Sequence, residues 1–211
     1  MGDLPVPENT EMREFILRAR KAPSTADFSL GDIGRSGFLE IIAHCICNAL
    51  FYSRQIRPQT CVHLVLEGPA APPKIVRLES DSLCTIGGYD ERSIWSLLRR
   101  ALEEGRKLTL EQEVQVDDGL YVAKRSFEKL VRHKCEAGPL YYLQPRSNDI
   151  RQTKFELPTT FVFTDHLSMP KKSDRFLERL GARPVSVGPK VLFASQCVVL
   201  VHNELDRQGL A

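Results

Sequence analysis

Apolar residues in this chain come in short runs, and the stretches between those runs repeat at helical spacing; no other feature constrains the fold as much. The runs lie at 13–19 (REFILRA), 61–66 (CVHLVL), 74–78 (KIVRL), 120–123, 140–143, 160–163 and 184–187. Between them, Leu39, Ile42, Ile46, Ala49 and Leu50 recur at helical spacing and predict a helix over 38–53. A second helix opens at Asp90-Glu91, turns Ile94, Leu97, Leu98 and Ala101 inward and Arg99 and Arg100 outward, and ends near Gly105. Further helices are expected at 126–135, 173–180 and about 191–205, while the polar stretch 108–119 carries no clear signal. Strands alternating with helices give a sheet whose faces are both covered. The expected class is therefore α/β: a mostly parallel sheet with helices on both faces, in one domain over 12–211 after a loose Pro- and acid-rich extension at 1–11.

The composition permits such a core. Of 211 residues, 42% are hydrophobic and 27% charged, which is not the profile of a disordered chain. Lys and Arg number 29 against 27 Asp and Glu, a net charge of +2. That balance excludes a histone-like polycation but allows a locally basic RNA-binding face. The apolar stretch 38–51 is interrupted by Glu40, His44 and Asn48, and no run approaches the roughly 20 apolar residues of a membrane span. Residues 1–10 have neither the basic nor the apolar region of a secretory signal, so a cytoplasmic protein is expected. Most of the six cysteines sit in apolar or amphipathic runs, and Cys45 and Cys47 lack zinc-ligand spacing. They read as core thiols in a reducing compartment, with no metal expected.

Nucleotide and hydrolase motifs are missing: the sequence has no GxxxxGK[ST], no GxGxxG after a strand, no GxSxG and no HExxH. What remains is a set of three strand-end loops at 143–145, 164–168 and 187–192, where open parallel sheets hold their ligands. In the third, Gly188 permits a close backbone approach and Pro189 fixes the turn. An ordinary strand-to-helix turn is the alternative on local spacing alone.

Seven segments in order, MREFILRARKAPSTADFSL, GPAAPPKIVRLES, DERSIWSLLRRAL, PLYYL, DH, VSVGPKVLFASQC and VLVHNELDR, carry a more specific signal. Together they resemble the TrmY-type tRNA pseudouridine N1-methyltransferases of the SPOUT superfamily, from about Met12 to Arg207. The resemblance implies a C-terminal trefoil knot, a homodimer, tRNA as substrate with methylation in the T-loop, and S-adenosyl-L-methionine as methyl donor. Carried over by position, the donor contacts fall on Leu143, Thr164, Val187, Gly188, Pro189, Lys190, Val191, Leu192 and Cys197. One departure is plain: the family pattern Gly-Asp-His-x-Gly is here Thr164-Asp165-His166-Leu167-Ser168.

Asp165 is the candidate general base for the pyrimidine N1 proton, although an Asp that opens a loop can instead cap a turn. His166 can orient the base or merely pack. On the last helix His202 shares a face with Asp206, and Asn203 with Arg207, a pattern read as structural. Arg18, Arg20, Lys21, Arg54 and Arg57 are candidate RNA phosphate contacts, with a solvated charged face as the alternative. The apolar run Val198-Val199-Leu200-Val201 predicts burial of that helix on more than one side, partly across a two-fold interface. Two other functions stay open: a SPOUT ribose 2′-O-methyltransferase, and a catalytically silent RNA-binding or assembly protein.

Overall fold

The computed structural model describes residues 11–33, 39–53, 55–84 and 86–210. Apart from Glu11, the extension expected at 1–11 lies outside them. The chain opens with strand β1 (Arg13–Ala19), buried along its whole length. It continues through helix α1 (Leu39–Leu50) and a two-stranded hairpin, β2 (Phe51–Tyr52) and β3 (Gln55–Ile56), to β4 (Thr60–Leu66) and β5 (Lys74–Glu79). Helix α2 (Glu91–Glu104) leads to β6 (Glu113–Asp117) and β7 (Leu120–Ala123), and α3 (Phe127–Ala137) to β8 (Leu140–Asp149). The closing elements are β9 (Thr159–Thr164), α4 (Lys171–Arg179), β10 (Arg183–Ser186) and α5 (Ala194–Arg207).

Eight strands form one sheet in the order β10-β8-β9-β1-β4-β5-β7-β6. The five from β10 to β4 run parallel, and β5, β7 and β6 complete the sheet in antiparallel pairings. Alternation along the strands splits the core in two. Phe15, Leu17 and Ala19 of β1 pack with residues of α1, α2 and α5 on one face, whereas Ile16 joins Phe127, Leu130, Val131 and Leu177 of α3 and α4 on the other. The fully buried Trp95 anchors α2 to α1 by donating its indole N–H to the Leu39 carbonyl at 2.8 Å. Asp90 and Ser126 cap α2 and α3 by accepting from the backbone N–H of Ser93 and Lys129.

Four boundaries differ from the sequence reading. The helix expected over 38–53 ends at Leu50, with Ser53 at φ 55° in the hairpin turn that follows; Phe38 lies outside the described residues. The polar stretch 108–119 contains β6, an edge strand whose Val114 and Val116 still pack on the core. The helix expected from 191 begins only at Ala194, because Val191 and Phe193 point outward (89% and 66% exposed). Finally, the strand expected at 140–143 runs on to Asp149. On β10, Tyr142 pairs with Pro184 and Asn148 with the next residue, Val185, so 143–147 bulge out of the ladder. That bulge matters for the site, because parallel pairing sends the carboxyl ends of β8, β9 and β10 to one edge of the sheet.

Candidate functional site

The bulge of β8, the loop after β9 and the loop after β10 meet there around a cavity of about 630 Å³. Its size is that of a small-molecule site. Leu143 and Thr164 line it, as do Val187, Gly188, Lys190, Val191, Leu192 and Cys197. Eight of the nine positions carried over for the donor are thus brought together. The exception is Pro189, which faces a neighbouring cavity of about 680 Å³, behind the same loop, that Val187 and Gly188 also line. The sequence reading missed Ile41 of α1, Tyr142 of β8 and Asp174 of α4, all of which reach the first cavity. Nothing in their local sequence marks them, since each sits in what reads as an ordinary strand or helix.

Gly188 has φ +135°, a conformation that residues with a Cβ rarely adopt. A Cβ built there would meet no protein atom within 4 Å, so the glycine serves the loop's conformation rather than internal packing. The Ser186 hydroxyl ties the turn down, lying 3.3 Å from the Pro145 carbonyl and accepting from the Gly188 N–H at 3.2 Å. Below it Phe193 is the N-cap of α5, and its side chain has no acceptor to offer the first turn. Gln196 instead reaches back and accepts from the Phe193 N–H at 3.0 Å. Burial pushes the Cys197 thiol up from its ordinary range, so it enters the cavity wall as a neutral thiol and not as a nucleophile.

Asp165 is the most unusual group in the wall. Its Oδ1 accepts from the Leu167 N–H at 3.0 Å, the turn-capping role expected of an Asp that opens a loop. Its Oδ2 is buried with no hydrogen-bond partner, and His166 Nδ1 stands 3.4 Å away. Burial raises this carboxyl above the usual range, which brings it closer to a working proton acceptor at neutral pH. From the rim, Arg20 donates to the Ser168 carbonyl at 3.2 Å and so fixes the far end of the same loop. Neither Thr164 nor Ser168, which stand where the family pattern has glycines, is among the residues with positive φ. The loop holds its course without glycine.

The predicted RNA contacts scatter. Lys21 is exposed and Arg20 half-exposed beside the cleft. Arg18 is a correction: it is buried, gives two hydrogen bonds of 2.9 Å to Glu67 and one of 2.7 Å to Ser173, and lies over the Phe127 ring. A guanidinium engaged this way holds α3 and α4 to the sheet and is not available to phosphate. Arg57 sits at the opposite edge of the sheet, bound to Asp206 at 2.9 Å. Arg54 lies outside the described residues.

At that opposite edge most of the buried charge is matched, Arg57 Nε being the group without a hydrogen-bond partner. Arg13 donates to the Leu210 carbonyl, to His202 Nδ1 (3.1 Å) and to Asp206 (2.7 Å), while His202 Nε2 donates to the Ala49 carbonyl at 3.0 Å. His202 and Asp206 are structural, as their shared face suggested, and Asn203 accepts from Arg207 at 3.0 Å. Glu14, His63 and Cys61 cluster nearby, the one group of metal-ligand type among the described residues. There the Lys134 ammonium, 2.5 Å from Glu14 Oε2, already fills the place of a cation. Cys45, Cys61 and Cys197 are buried free thiols, whereas Cys84 is exposed and departs from the core reading.

A mixed, largely parallel sheet with a ligand-sized cleft at its carboxyl edge, a glycine turn and a buried unpaired acid defines a cofactor-binding α/β protein. Residues 12–210 match the model of a family described as "Putative SAM-dependent RNA methyltransferase", and the chain belongs to that family. Among its relatives are proteins named "Putative pseudouridine methyltransferase" from Photobacterium profundum and Vibrio cholerae. The first is 43% identical over 92% of this chain and 98% of its own length, the second 41% over 93% and 98%. The crystal structure of Archaeoglobus fulgidus Nep1 bound to S-adenosylhomocysteine covers 95% of this chain and 100% of its own, with TM-score 0.60 and 11% identity. That likeness shows a shared fold.

The cleft suits the family's cofactor. S-adenosyl-L-methionine joins a flat purine to ribose hydroxyls, a cationic sulfonium and a zwitterionic amino-acid end that carries an α-ammonium. The wall supplies apolar surface from Ile41, Leu143, Phe163, Val187 and Leu192, together with two acid oxygens, Asp165 Oδ2 and Asp174 Oδ1, that are buried without partners. Unpaired buried acceptors of this kind are expensive unless a ligand satisfies them.

Proposed function

We propose that the protein transfers a methyl group from S-adenosyl-L-methionine to N1 of a pseudouridine in the T-loop of tRNA. The observation that carries the chemistry is Asp165, a buried carboxylate with one oxygen unengaged at the wall of the donor cleft. The names of the relatives support the choice of base. Bound in the cleft, the donor supplies an electrophilic methyl on a sulfonium centre. The turn at 187–192, with Leu143, Thr164 and Cys197, holds it; Pro189 shapes that turn from behind. Pseudouridine differs from uridine in presenting N1–H, and Asp165 accepts that proton as the nitrogen attacks. Asp165 Oδ1 stays on the Leu167 N–H meanwhile, so the carboxylate keeps its orientation. The T-loop base leaves its stack to reach the pocket, and Lys21 and Arg20 at the mouth take flanking phosphates.

The same reading takes residues 12–211 as one cytoplasmic domain with the family's knot, acting as a homodimer. The exposed Val199 and Leu200 on α5, continuous with the rim residues Val191 and Phe193, support a two-fold contact through that helix. Sedimentation at micromolar concentration should give a dimer, and a monomer would remove that part of the reading.

The decisive experiment is nucleoside analysis of tRNA carrying pseudouridine, incubated with the protein and S-adenosyl-L-methionine. N1-methylpseudouridine is the expected product. A 2′-O-methylated nucleoside would identify a ribose methyltransferase, and no product with undiminished RNA binding would identify a silent binding protein.

A further inference from the structure

The second unpartnered acid oxygen in the cleft belongs to a residue that the transfer chemistry above does not use. Asp174 stands in the first turn of α4 and lines the cavity together with Tyr142, which it is close enough to influence electrostatically, and with the turn at 187–192. The helix dipole explains an acid at this position. It does not explain why Oδ1 is withdrawn from water with no hydrogen-bond partner, when Lys171 and Lys172 of the same turn are exposed. Among the described residues no Lys, Arg or His forms an ion pair with Asp174; the nearby Arg18 is engaged by Glu67 and Ser173 instead. The neighbouring charge is acidic, from Glu178, which accepts from the Tyr142 hydroxyl at 3.4 Å. Burial and Glu178 both raise the Asp174 carboxyl above its usual range. The protein thus places an acid in the cleft wall with no described Lys, Arg or His paired to it; Lys190, which also lines the cavity, forms no ion pair with it.

We infer that Asp174 is a specificity residue of the cleft, receiving the α-ammonium group at the amino-acid end of the cofactor. The inference rests on the proposed placement of S-adenosyl-L-methionine in this cavity. A carboxylate in a dehydrated wall is offset by a partner of opposite charge that brings several N–H donors, which the ammonium does and the neutral adenine amine does not. Asp165 and Asp174 then divide the cleft, the first addressing the RNA base and the second the donor's far end.

Calorimetric titration tests this with three probes: S-adenosyl-L-methionine, S-adenosylhomocysteine, and 5′-methylthioadenosine, which lacks the amino-acid end. In the full-length Asp174→Asn variant, affinity for the first two should fall together by roughly 10- to 100-fold, with 5′-methylthioadenosine unchanged. A variant-independent arm uses the desamino form of S-adenosylhomocysteine, which the wild type should bind more weakly than the parent compound by a similar factor. The inference is overturned by unchanged affinity for all three probes, or by an equal loss for 5′-methylthioadenosine, which would put Asp174 on the adenosine. A loss confined to S-adenosyl-L-methionine would put it on the sulfonium and overturns it too. If the wild type binds none of the probes, the placement of the donor fails, and the inference with it.

Discussion

The two edges of the parallel strands treat buried charge in opposite ways. At the amino edge, Arg13 meets His202, Asp206 and the Leu210 carbonyl, and Glu14 meets His63 and Lys134. At the carboxyl edge, Asp165 and Asp174 each keep a buried oxygen without a hydrogen bond, with only His166 Nδ1 at 3.4 Å from that of Asp165, and a cavity lies beside both. Both edges bear the cost of taking charge out of water, and the amino edge recovers more of it inside the protein, Arg57 Nε excepted. Paired charge marks a fastening, and unpaired charge beside a cavity marks a place for something else. The two edges should therefore fail differently when altered.

The largest effect is expected from Asp165→Asn. The amide keeps an acceptor for the Leu167 N–H but is no longer basic, so kcat at saturating donor and RNA should fall by about 10²- to 10⁴-fold. Stability should hold or rise, because burial of an unpaired carboxylate is relieved. Near-native turnover would end its role as proton acceptor; a normal turnover number with weakened donor binding would leave it a loop cap only. The counterpart at the other edge is Arg13→Met. It removes a partner from Asp206 and His202, leaving Asp206 to Arg57 and His202 to the Ala49 carbonyl, and should cost about 1–3 kcal/mol in urea unfolding, with donor affinity of the folded fraction unchanged. A stability loss for Asp165→Asn as large as that for Arg13→Met would break the contrast.

Acid should separate the edges as well. Burial depresses His63 to about 4 and His202 to about 3, from 6.5. The unfolded chain then binds more protons than the folded one, so stability is lost as pH falls from about 6.5 toward 4. Glu14, for which His63 and Lys134 outweigh desolvation and bring it to about 2 from 4.5, adds a further loss below 4.5. Asp165 and Asp174 are raised, so their contribution has the opposite sign: protonation relieves them. Urea titrations across pH 4 to 7 should show falling stability on acidification for the wild type and a shallower fall in His202→Gln. An equal slope in that variant would remove His202 from the account. The smallest effect is expected from Lys21→Ala, which should weaken binding to all tRNAs alike and lower the salt slope by about one.

The sequence shows one edge better than the other. Strands β1, β4 and β9 were legible because a parallel core strand is apolar nearly throughout, and the cleft loops were legible because they follow such strands. Arg18 and Asp174 were not, since a charged residue in a sequence carries no sign of whether its neighbours will pair it or abandon it. Arg18 reads as one of a basic group and is buried against Glu67; Asp174 reads as part of a polar helix and turns an oxygen out of water. The β8 bulge escaped for a related reason, because only the register with β10 reveals that 143–147 leave the ladder. The helix expected from about 191 takes in Val191 and Phe193, since periodicity cannot tell an apolar residue that packs from one that forms a rim.

Val187 and Gly188 belong to the walls of two cavities at once, the donor cleft and the neighbouring one bounded by Arg151, Leu200, Asn203 and Arg207. A shared wall links the two spaces thermodynamically on one condition, that their occupants favour different positions of the turn. A molecule that sets this turn from one side changes the affinity on the other by some factor, and reciprocity requires the same factor in return. Under that condition, occupancy of the cleft and of the outer cavity would be two readings of a single equilibrium, the position of one short turn around a glycine.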